Sequence, residues 1–289
     1  MAEVSVIIPT YNRAQKVARA IASVLYQSFT DYEMVVVDDG SKDDTAEILS
    51  LFHPHIVRLI HVENRGVSAA RNTGILASRA PFIAFLDSDD YWLPEKLVVQ
   101  TAFFKAHPES VVCQTQEHWI RNGRPVNPRR KHLKPNGDIF QPSLKLCLVS
   151  PSAAMIRRTL FNEVGLFDES MPVCEDYDLW LRISCLHPVH LIDRELVVKE
   201  GGATDQLSRS RTGMDRFRIQ SMAKLLQSGR LNHAQAYAVL AELTAKCNVY
   251  AKGCIKRGRK EEGERYLALP SALRCRYTHK GHDGKGEIG

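Results

Sequence analysis

The first ninety residues alternate between short apolar runs and longer segments in which apolar and polar positions are interleaved. The apolar runs are almost continuous, which is typical of strands that a parallel sheet buries on both faces. These predicted strands are residues 4–8, 33–37, 57–61 and 81–86. In the intervening segments apolar side chains recur every three or four positions, as on one face of a helix. These predicted helices are residues 14–27, 44–52 and 66–78. The alternation predicts right-handed crossovers and an α/β fold, with helices on both faces of a mostly parallel sheet.

The alternation loosens after the fourth predicted strand. Residues 120–143 are polar, basic and bear Pro and Gly, so they predict a loop or a hairpin. The other predicted helices are residues 93–107, 158–164 and 177–185, and the other predicted strands are residues 111–119, 153–156, 189–192 and 196–198.

The last third of the chain has a different character. Helical spacing extends over residues 211–267 with a break near Gly229, and the stretch after Pro270 is polar and Gly-rich. We therefore divide the chain into an α/β domain, a C-terminal helical region and a basic, disordered tail. The predicted bounds are 1–205 for the α/β domain (halves 1–92 and 93–205), 206–269 for the helical region and 270–289 for the tail.

Composition narrows the class of protein. The 289 residues are 44% hydrophobic, which is ordinary for a globular protein of this size. The seven cysteines contain no CxxC pair, which disfavours a zinc site or a redox pair and fits a reducing compartment. The first predicted strand begins by Val4, and no apolar run approaches the ~18 residues of a membrane span. We therefore expect no targeting segment and a cytoplasmic location.

The net charge of +6 is unevenly distributed. One basic cluster lies within residues 121–134, and a larger one follows Ala251. Such clusters are either ordinary solvated surface or face anionic lipid or a phosphorylated substrate. No aromatic stacking pattern interleaves these charges as it would in a nucleic-acid site, so we expect no nucleic acid partner. Peripheral contact with an anionic membrane, at its inner face, is a hypothesis.

Candidate chemistry lies where the predicted strands end. An open α/β sheet binds its ligands at the carboxyl edge of its strands. The first strand leads into Pro9, Thr10, Tyr11 and Asn12, which could place an aromatic ring and small polar groups beside a base. The alternative interpretation is a helix entry capped by Thr10 or Asn12.

The second strand ends in the adjacent acids Asp38 and Asp39. An ionised carboxylate only accepts hydrogen bonds, so one of them could bind the imide N–H of uracil or a ribose hydroxyl. A turn built on Gly40 is the alternative. Further along, Gly66 leads into a predicted helix that carries Arg71 one turn in. A helix N-terminus attracts anions, and Arg71 could reach a phosphate or a base, unless this is only a closely packed helix with an exposed arginine.

The fourth strand delivers the richest cluster, Asp87, Ser88, Asp89 and Asp90. Clustered carboxylates are hard ligands for Mg²⁺ or Mn²⁺, and a metal held there would neutralise a diphosphate. The alternative is a solvated acidic turn that caps the following helix. No Walker, dinucleotide, HExxH or GxSxG pattern offers a competing interpretation of these acids.

A last acidic pair, Glu175 and Asp176, precedes an apolar helix. Asp176 is well placed there to act as a general base, although N-capping is the structural alternative. Trp180 on the same helix is expected in the core.

Taken together, these segments resemble the family 2 glycosyltransferases of the GT-A fold. The matching stretches are VSVIIPTYNR (4–13), VDDGS (37–41), GVSAARNTG (66–74), FLDSDD (85–90) and Glu175-Asp176, and the resemblance covers roughly residues 3–200. It implies an inverting transfer of one sugar from a nucleotide-diphosphosugar, with a divalent metal, Mn²⁺ or Mg²⁺, as cofactor. Within the α/β domain, residues 1–92 would then bind the donor and 93–205 the acceptor. UDP is the default nucleotide, with dTDP and GDP open.

The resemblance also implies roles for single residues. Nucleotide-binding residues would be Pro9, Thr10, Tyr11, Asn12, Asp38, Asp39, Arg71, Asp87 and Ser88. Asp89 would be the metal ligand, Asp176 the catalytic base, and Glu175 its neighbour toward donor or acceptor. The acceptor would be a glycan, lipid-linked or phosphorylated, in surface polysaccharide synthesis.

Two further classes of protein were weighed against this one. A nucleotidyltransferase would carry a Gly-rich basic loop after the first strand, which residues 9–13 are not. A non-catalytic binding protein would have no need of both Asp89 and Asp176. Residues 201–209 contain a Gly pair and predict a lid over the donor.

Overall fold

The structure is a computed structural model that describes residues 2–52, 57–127, 132–201 and 213–280. The predicted lid falls on residues that lie almost entirely outside these ranges. The strands are β1 (Val4–Thr10), β2 (Tyr32–Asp38), β3 (Val57–His61), β4 (Phe82–Phe85), β5 (Asp90–Trp92), β6 (Val112–Arg121), β7 (Arg124–Pro125), β8 (Ala154–Arg157) and β9 (His190–Gly201). The helices are α1 (Ala14–Leu25), α2 (Thr45–Ser50), α3 (Val67–Ala77), α4 (Lys96–Ala106), α5 (Phe140–Lys145), α6 (Leu160–Val164), α7 (Glu175–Ser184), α8 (Asp215–Gln227), α9 (His233–Lys256) and α10 (Lys260–Lys280).

One sheet joins all of these strands in the order β3-β2-β1-β4-β8-β6-β9-β5, with β7 on the edge of β6. The first four strands are parallel, as their apolar runs predicted. The second half is mixed, because β8 runs antiparallel to both β4 and β6, and β5 runs antiparallel to β9. The predicted α/β architecture is therefore confirmed, and the sheet is mostly parallel, because β6 and β9 pair in parallel while β5, β7 and β8 run antiparallel to their neighbours.

Strand β5 was not predicted, since its three residues are too few to show a pattern. It places Asp90 beside Lys199 of β9, at the far edge of the sheet from β3. The chain thus crosses between the two halves of the sheet through the acidic residues 87–89. This crossing is what brings the acidic cluster to the middle of the carboxyl edge.

Close packing of α3 on the sheet depends on Gly74. A Cβ built at this position would lie 2.4 Å from Cγ2 of Ile7 in β1. The small side chains within residues 66–74 therefore allow the helix to approach the sheet closely, as the sequence suggested.

Helix α7 lies between two hydrophobic clusters. Trp180 and Leu179 are buried with Phe85 of β4 on one side, which confirms the core position of Trp180. On the other side, Tyr177 and Leu181 are buried with residues of the C-terminal helices α8 and α9. The C-terminal region thus fixes the helix that begins at Glu175 and Asp176.

The C-terminal helices agree with the predicted helical region and its break, where Gly229 takes a φ of 71°. Their end differs from the prediction. Pro270 lies inside α10, which continues to Lys280 although proline leaves the carbonyl four residues earlier without its helical bond. Residues 271–280 are therefore helical, and residues 281–289 lie outside the described residues.

Candidate active site

A cleft of about 1290 Å³ runs along the carboxyl edge of the sheet, where the predicted loops converge. It is lined by loops from both halves of the α/β domain and by two residues near the start of α8, Met214 and Arg218. The predicted site residues that line it are Pro9, Thr10, Tyr11, Asn12, Asp39, Arg71, Asp87, Ser88, Asp89, Glu175 and Asp176.

The loop after β1 is held against the loop after β2 by Asn12. The side chain of Asn12 accepts a hydrogen bond from the Lys42 backbone N–H at 2.7 Å, and the backbone N–H of Asn12 donates to Ser41 Oγ at 2.9 Å. Asn12 adopts a positive φ of 50°, which asparagine tolerates better than most residues. Tyr11 is left 42% exposed at the cleft, and the buried Thr10 Oγ1 has no hydrogen-bond partner among the described residues.

The adjacent acids Asp38 and Asp39 have different surroundings, because neighbouring residues at a strand end project to opposite sides. Asp39 lines the cleft, and its two oxygens accept the backbone N–H groups of Arg65 and Gly66 at 2.9 and 2.8 Å. Asp38 does not line the cleft. Its carboxylate accepts from Ser41 and lies 3.0 Å from His61 Nδ1, so the structure gives it a role in shaping the loop.

Arg71 connects the two halves of the α/β domain. Its guanidinium is 3% exposed and donates to Asp87 Oδ1 at 2.6 Å and to Glu175 Oε1 at 2.7 Å. Burial alone would lower the pKa of Arg71, but the two carboxylates raise it. Burial would likewise raise the pKa of Asp87, whereas Arg71 beside it holds that pKa below its ordinary value. Asp87 is therefore ionised at neutral pH.

The other acids of the cluster each have a cation nearby. Arg13 Nη1 lies 2.8 Å from Asp89 Oδ2, and Lys199 Nζ lies 3.5 Å from Asp90 Oδ2. Burial raises the pKa of Asp90 to about 7, although Lys199 opposes the shift. Ser152 donates to the same carboxylate at 2.6 Å.

The two acids at the start of α7 follow a strained residue. Cys174 adopts a left-handed φ of 63°, which is uncommon outside glycine and asparagine. This conformation turns the chain into the helix, so that Glu175 reaches back to Arg71 and Asp176 faces the cleft. Burial, reinforced by the neighbouring Asp176, raises the pKa of Glu175, while Arg71 opposes the rise. The thiol of Cys147 lies 3.5 Å from Asp176 Oδ2.

One wall of the cleft was missed by sequence reasoning. Lys199 of β9 donates to Ser150 Oγ at 2.9 Å, and Lys134 lies 3.2 Å from the buried Glu117. Trp119 of β6 forms the outer part of this wall. No motif marks these residues, since they meet only through the pairing of β5, β6 and β9.

A metal site can be assessed from the donor set. Within the described ranges, no group of three or more His, Cys, Asp or Glu side chains is arranged to hold an ion. Mg²⁺ typically uses one or two carboxylates and takes its other ligands from substrate phosphates and water. The residues present fit that mode, with Asp89 as the carboxylate whose side chain is 17% exposed.

The described helices were also compared with the length and hydropathy of a membrane span. None of them is both long and apolar enough to cross a bilayer.

Comparison with known proteins identifies the class of enzyme. Residues 5–165 match the profile of glycosyl transferase family 2, which is more than half of the chain. The chain therefore belongs to this family.

Its relatives differ in length and in what is known of them. A UDP-Glc:alpha-D-GlcNAc-diphosphoundecaprenol beta-1,3-glucosyltransferase, WfgD of Escherichia coli, is 34% identical over 181 residues, 62% of this chain and 69% of the relative. An uncharacterized glycosyltransferase of Rickettsia felis is 30% identical over 216 residues. That match covers 71% of this chain, but the chain spans only about a third of that relative's length, 35%.

Solved structures confirm the fold. Staphylococcus aureus TarS 1-349 in complex with UDP-GlcNAc is similar with a TM-score of 0.68 at 18% identity, over 100% of this chain and 95% of that one. The mannosyltransferase PcManGT from Pyrobaculum calidifontis, in complex with GDP-Man and Mn²⁺, gives a TM-score of 0.61 at 19% identity. That match covers 98% of this chain and 88% of PcManGT.

The arginine bridge predicts a pH-dependent loss of stability in Arg71→Met. Removing the guanidinium leaves Asp87 and Glu175 buried without their cation, which should lower the free energy of unfolding by about 3–5 kcal/mol at pH 8. The pKa of Glu175, already raised by burial, should rise further, so the folded variant binds a proton that the unfolded chain releases. Stability of the variant then increases as the pH falls, and its deficit narrows between pH 8 and pH 5. Urea unfolding of both proteins across this range measures it.

Arg65→Met is the matched control, because Arg65 pairs with Glu169 at the exposed rim. An exposed pair contributes at most about 1 kcal/mol, so this variant should stay close to the wild type. A deficit in Arg71→Met that is equally small, or the same at both pH values, would contradict the bridge.

Proposed function

We propose that this chain is an inverting glycosyltransferase that moves one sugar from a nucleotide-diphosphosugar, first of all a UDP-sugar, to an acceptor hydroxyl. One observation carries the proposal: Arg71 joins Asp87, at the end of β4, to Glu175, the neighbour of Asp176. The acidic cluster of Asp87 and Asp89, which would serve the donor and the metal, thereby shares one cleft with Asp176, which would serve as the base, as this reaction requires. The complexes of TarS with UDP-GlcNAc and of PcManGT with GDP-Man support a nucleotide-sugar donor.

The donor would lie across the loops that follow β1, β2 and β4. Tyr11 offers an exposed ring for the base, and Asp39 still has acceptor capacity for an imide N–H beyond its two backbone bonds. Pro9, Thr10, Asn12 and Ser88 complete this part of the cleft, with Thr10 Oγ1 available to a ligand. Asp87, held by Arg71, would meet the ribose or the sugar. We leave Asp38 out of the donor contacts because of its surroundings.

Asp89 would hold the divalent metal, Mn²⁺ or Mg²⁺, together with the diphosphate. Bound there, the ion would neutralise the charge that develops on the departing nucleoside diphosphate. The Mn²⁺ in the PcManGT complex supports this cofactor. Because Arg13 also contacts Asp89, a second positive charge lies at the same end of the cleft.

Asp176 would act as the general base. The acceptor hydroxyl attacks the anomeric carbon from the face opposite the diphosphate, while its proton passes to the Asp176 carboxylate. A new bond forms between the anomeric carbon and the acceptor oxygen as the bond to the diphosphate oxygen breaks, so the configuration inverts. The transition state should resemble an oxocarbenium ion, as in glycoside hydrolysis.

The acceptor is proposed to be a lipid-linked glycan in surface polysaccharide synthesis. The E. coli relative is named for transfer to a GlcNAc-diphosphoundecaprenol. An acceptor of this kind lies in a membrane, so the enzyme would work in the cytoplasm at the inner membrane face. Lys252, Lys256 and Arg257, at the C-terminal end of α9, are exposed and would contact the anionic lipid.

Asp176→Asn should abolish transfer and spare nucleotide binding. Loss of a positioned base typically costs about 10²–10⁴-fold in rate, whereas the amide leaves the shape of the cleft unchanged. Transfer from radiolabelled UDP-sugars to a short-chain GlcNAc-diphosphoryl lipid measures the rate, and calorimetry with UDP measures binding. Asp193→Asn, an exposed aspartate outside the cleft, is the control. A variant at Asp176 that keeps most of its activity would show that the base lies elsewhere.

Asp89→Asn should weaken the metal-dependent part of nucleotide binding. An amide is a poorer ligand than a carboxylate for a hard cation, so affinity for UDP in Mn²⁺ should fall roughly tenfold. Binding without the metal should change little. Thermal shift with UDP, with and without Mn²⁺, measures this. Equal binding by wild type and variant in Mn²⁺ would remove Asp89 from the metal site.

Membrane contact predicts salt-sensitive binding to anionic vesicles. Each Lys or Arg near an anionic surface contributes about 1 kcal/mol, and salt screens that attraction. The charge-reversed pair Lys252→Glu and Lys256→Glu should therefore sediment less with phosphatidylglycerol vesicles than the wild type. Neutral phosphatidylcholine vesicles are the control. Binding that is absent, or that salt does not weaken, would contradict this contact.

A further inference from the structure

The wall formed by β6 and β9 lies beside the proposed diphosphate site. Lys199 pairs directly with Asp90 on one side and with Trp119 on the other. Directly paired residues project from the same face of a sheet, and all three of these residues line the cleft. Since neighbouring strands are about 4.8 Å apart, the backbone of Trp119 lies ~10 Å across the sheet from that of Asp90.

Trp119 differs from the other tryptophans of the chain. It is 37% exposed, whereas Trp92 and Trp180 are 3% and 1% exposed. His132 lies beside it, with ring centroids 6.1 Å apart, and also lines the cleft. A partly exposed indole beside a polar site suits the apolar C–H face of a sugar ring.

Glu117 lies two residues before Trp119 and therefore on the same face of β6. Its side chain is 4% exposed, and it lines the cleft. Lys134 Nζ is 3.2 Å from its Oε1, so the carboxylate forms a buried ion pair, and Ser150 also contacts it. Burial would raise the pKa of Glu117, but Lys134 and Lys199 hold it below its ordinary value. An ionised carboxylate has about four lone-pair sites, and these contacts use only some of them, so Glu117 can still accept a hydrogen bond from a hydroxyl group in the cleft.

A single loop connects this wall to the proposed base. Ser150 accepts a hydrogen bond from Lys199, and Cys147, three residues earlier, lies 3.5 Å from Asp176. Residues 147–151 line the cleft between these two points. A sugar placed against Trp119 would therefore lie next to the loop that contacts the proposed base.

We propose that Trp119 and Glu117 form the acceptor-sugar subsite, in which a pyranose ring packs on the indole and a ring hydroxyl donates to the carboxylate. The proposal rests on the proposed function and adds to it the residues that would select the acceptor. Lys134 and Lys199 hold the carboxylate ionised and in place. They are positioning residues in this account.

Tryptophan fluorescence tests the subsite directly, because only Trp119 of the three tryptophans is open to solvent. The probes are methyl glycosides of glucose, galactose, mannose and N-acetylglucosamine and a short-chain GlcNAc-diphosphoryl lipid, each added with UDP and Mn²⁺. We expect at least one of them to protect Trp119 from iodide quenching. Glu117→Gln should weaken that probe roughly tenfold, and Trp119→Ala, followed by calorimetry, at least as much. Trp119→Phe should retain most of the affinity because the ring remains.

The affinity of the same variants for UDP distinguishes a failure of the subsite from a failure of the proposed function. It should equal that of the wild type, as should all affinities in Val126→Ala, an exposed control whose N–H donates to the Trp119 carbonyl. If UDP binds and no probe protects Trp119, or if Glu117→Gln binds the probe as well as the wild type, the subsite is wrong and the proposed function stands. If no nucleoside diphosphate binds the wild type, the proposed function fails and the subsite with it.

Discussion

The contact on which the cleft depends is the buried guanidinium of Arg71 between Asp87 and Glu175. These two carboxylates come from segments far apart in the chain, one at the end of β4 and the other at the start of α7. Without a cation between them, burial and mutual repulsion would drive them apart or protonate them. With it, the end of β4 and the start of α7 keep a fixed separation. The buried Nε of Arg71 has no hydrogen-bond partner among the described residues, so the Nη atoms alone donate to the two carboxylates.

The helix that carries Asp176 is constrained from three directions. Trp180 anchors it to the sheet, Tyr177 and Leu181 anchor it to the C-terminal helices, and the strained Cys174 sets where it begins. Backbone strain of this kind persists only where surrounding packing enforces it. The C-terminal helices therefore help to support the candidate active site, although, within the part of the chain that the structure describes, they line the cleft only through Met214 and Arg218 near their start. The position of Asp176 therefore depends on how the C-terminal helices pack against α7.

Much of this arrangement could be predicted from sequence because it is local. Apolar runs identify strands, and parallel strands bring the residues after them to a common edge, which placed Tyr11, Asp39 and Asp89 around one cleft. Asp176 reaches the same cleft from the start of α7, and its predicted place came from the family resemblance. Asp38 escaped that reasoning, since a one-residue step along a strand reverses the side chain's direction. The partners of the acids were also beyond reach. Arg13, Cys147 and Lys199 meet their carboxylates only through strand pairing and loop packing, which no spacing along the chain records. The same is true of Trp119, which meets Lys199, and Asp90 beyond it, only through the pairing of β6 and β5 with β9.

The carboxyl edge of this sheet is proposed to bind a nucleoside diphosphate together with a divalent metal. The most direct test is a thermal-shift panel of UDP, GDP, dTDP and CDP on the wild-type protein, each with and without Mn²⁺. A ligand at ~100 times its Kd stabilises the folded state by about 2.7 kcal/mol, which is a shift of several degrees in Tm. We expect the Tm to rise with one nucleotide, UDP first of all, and to rise more with Mn²⁺ than without it. No shift with any of the four nucleotides, in the presence of the metal, would contradict the account.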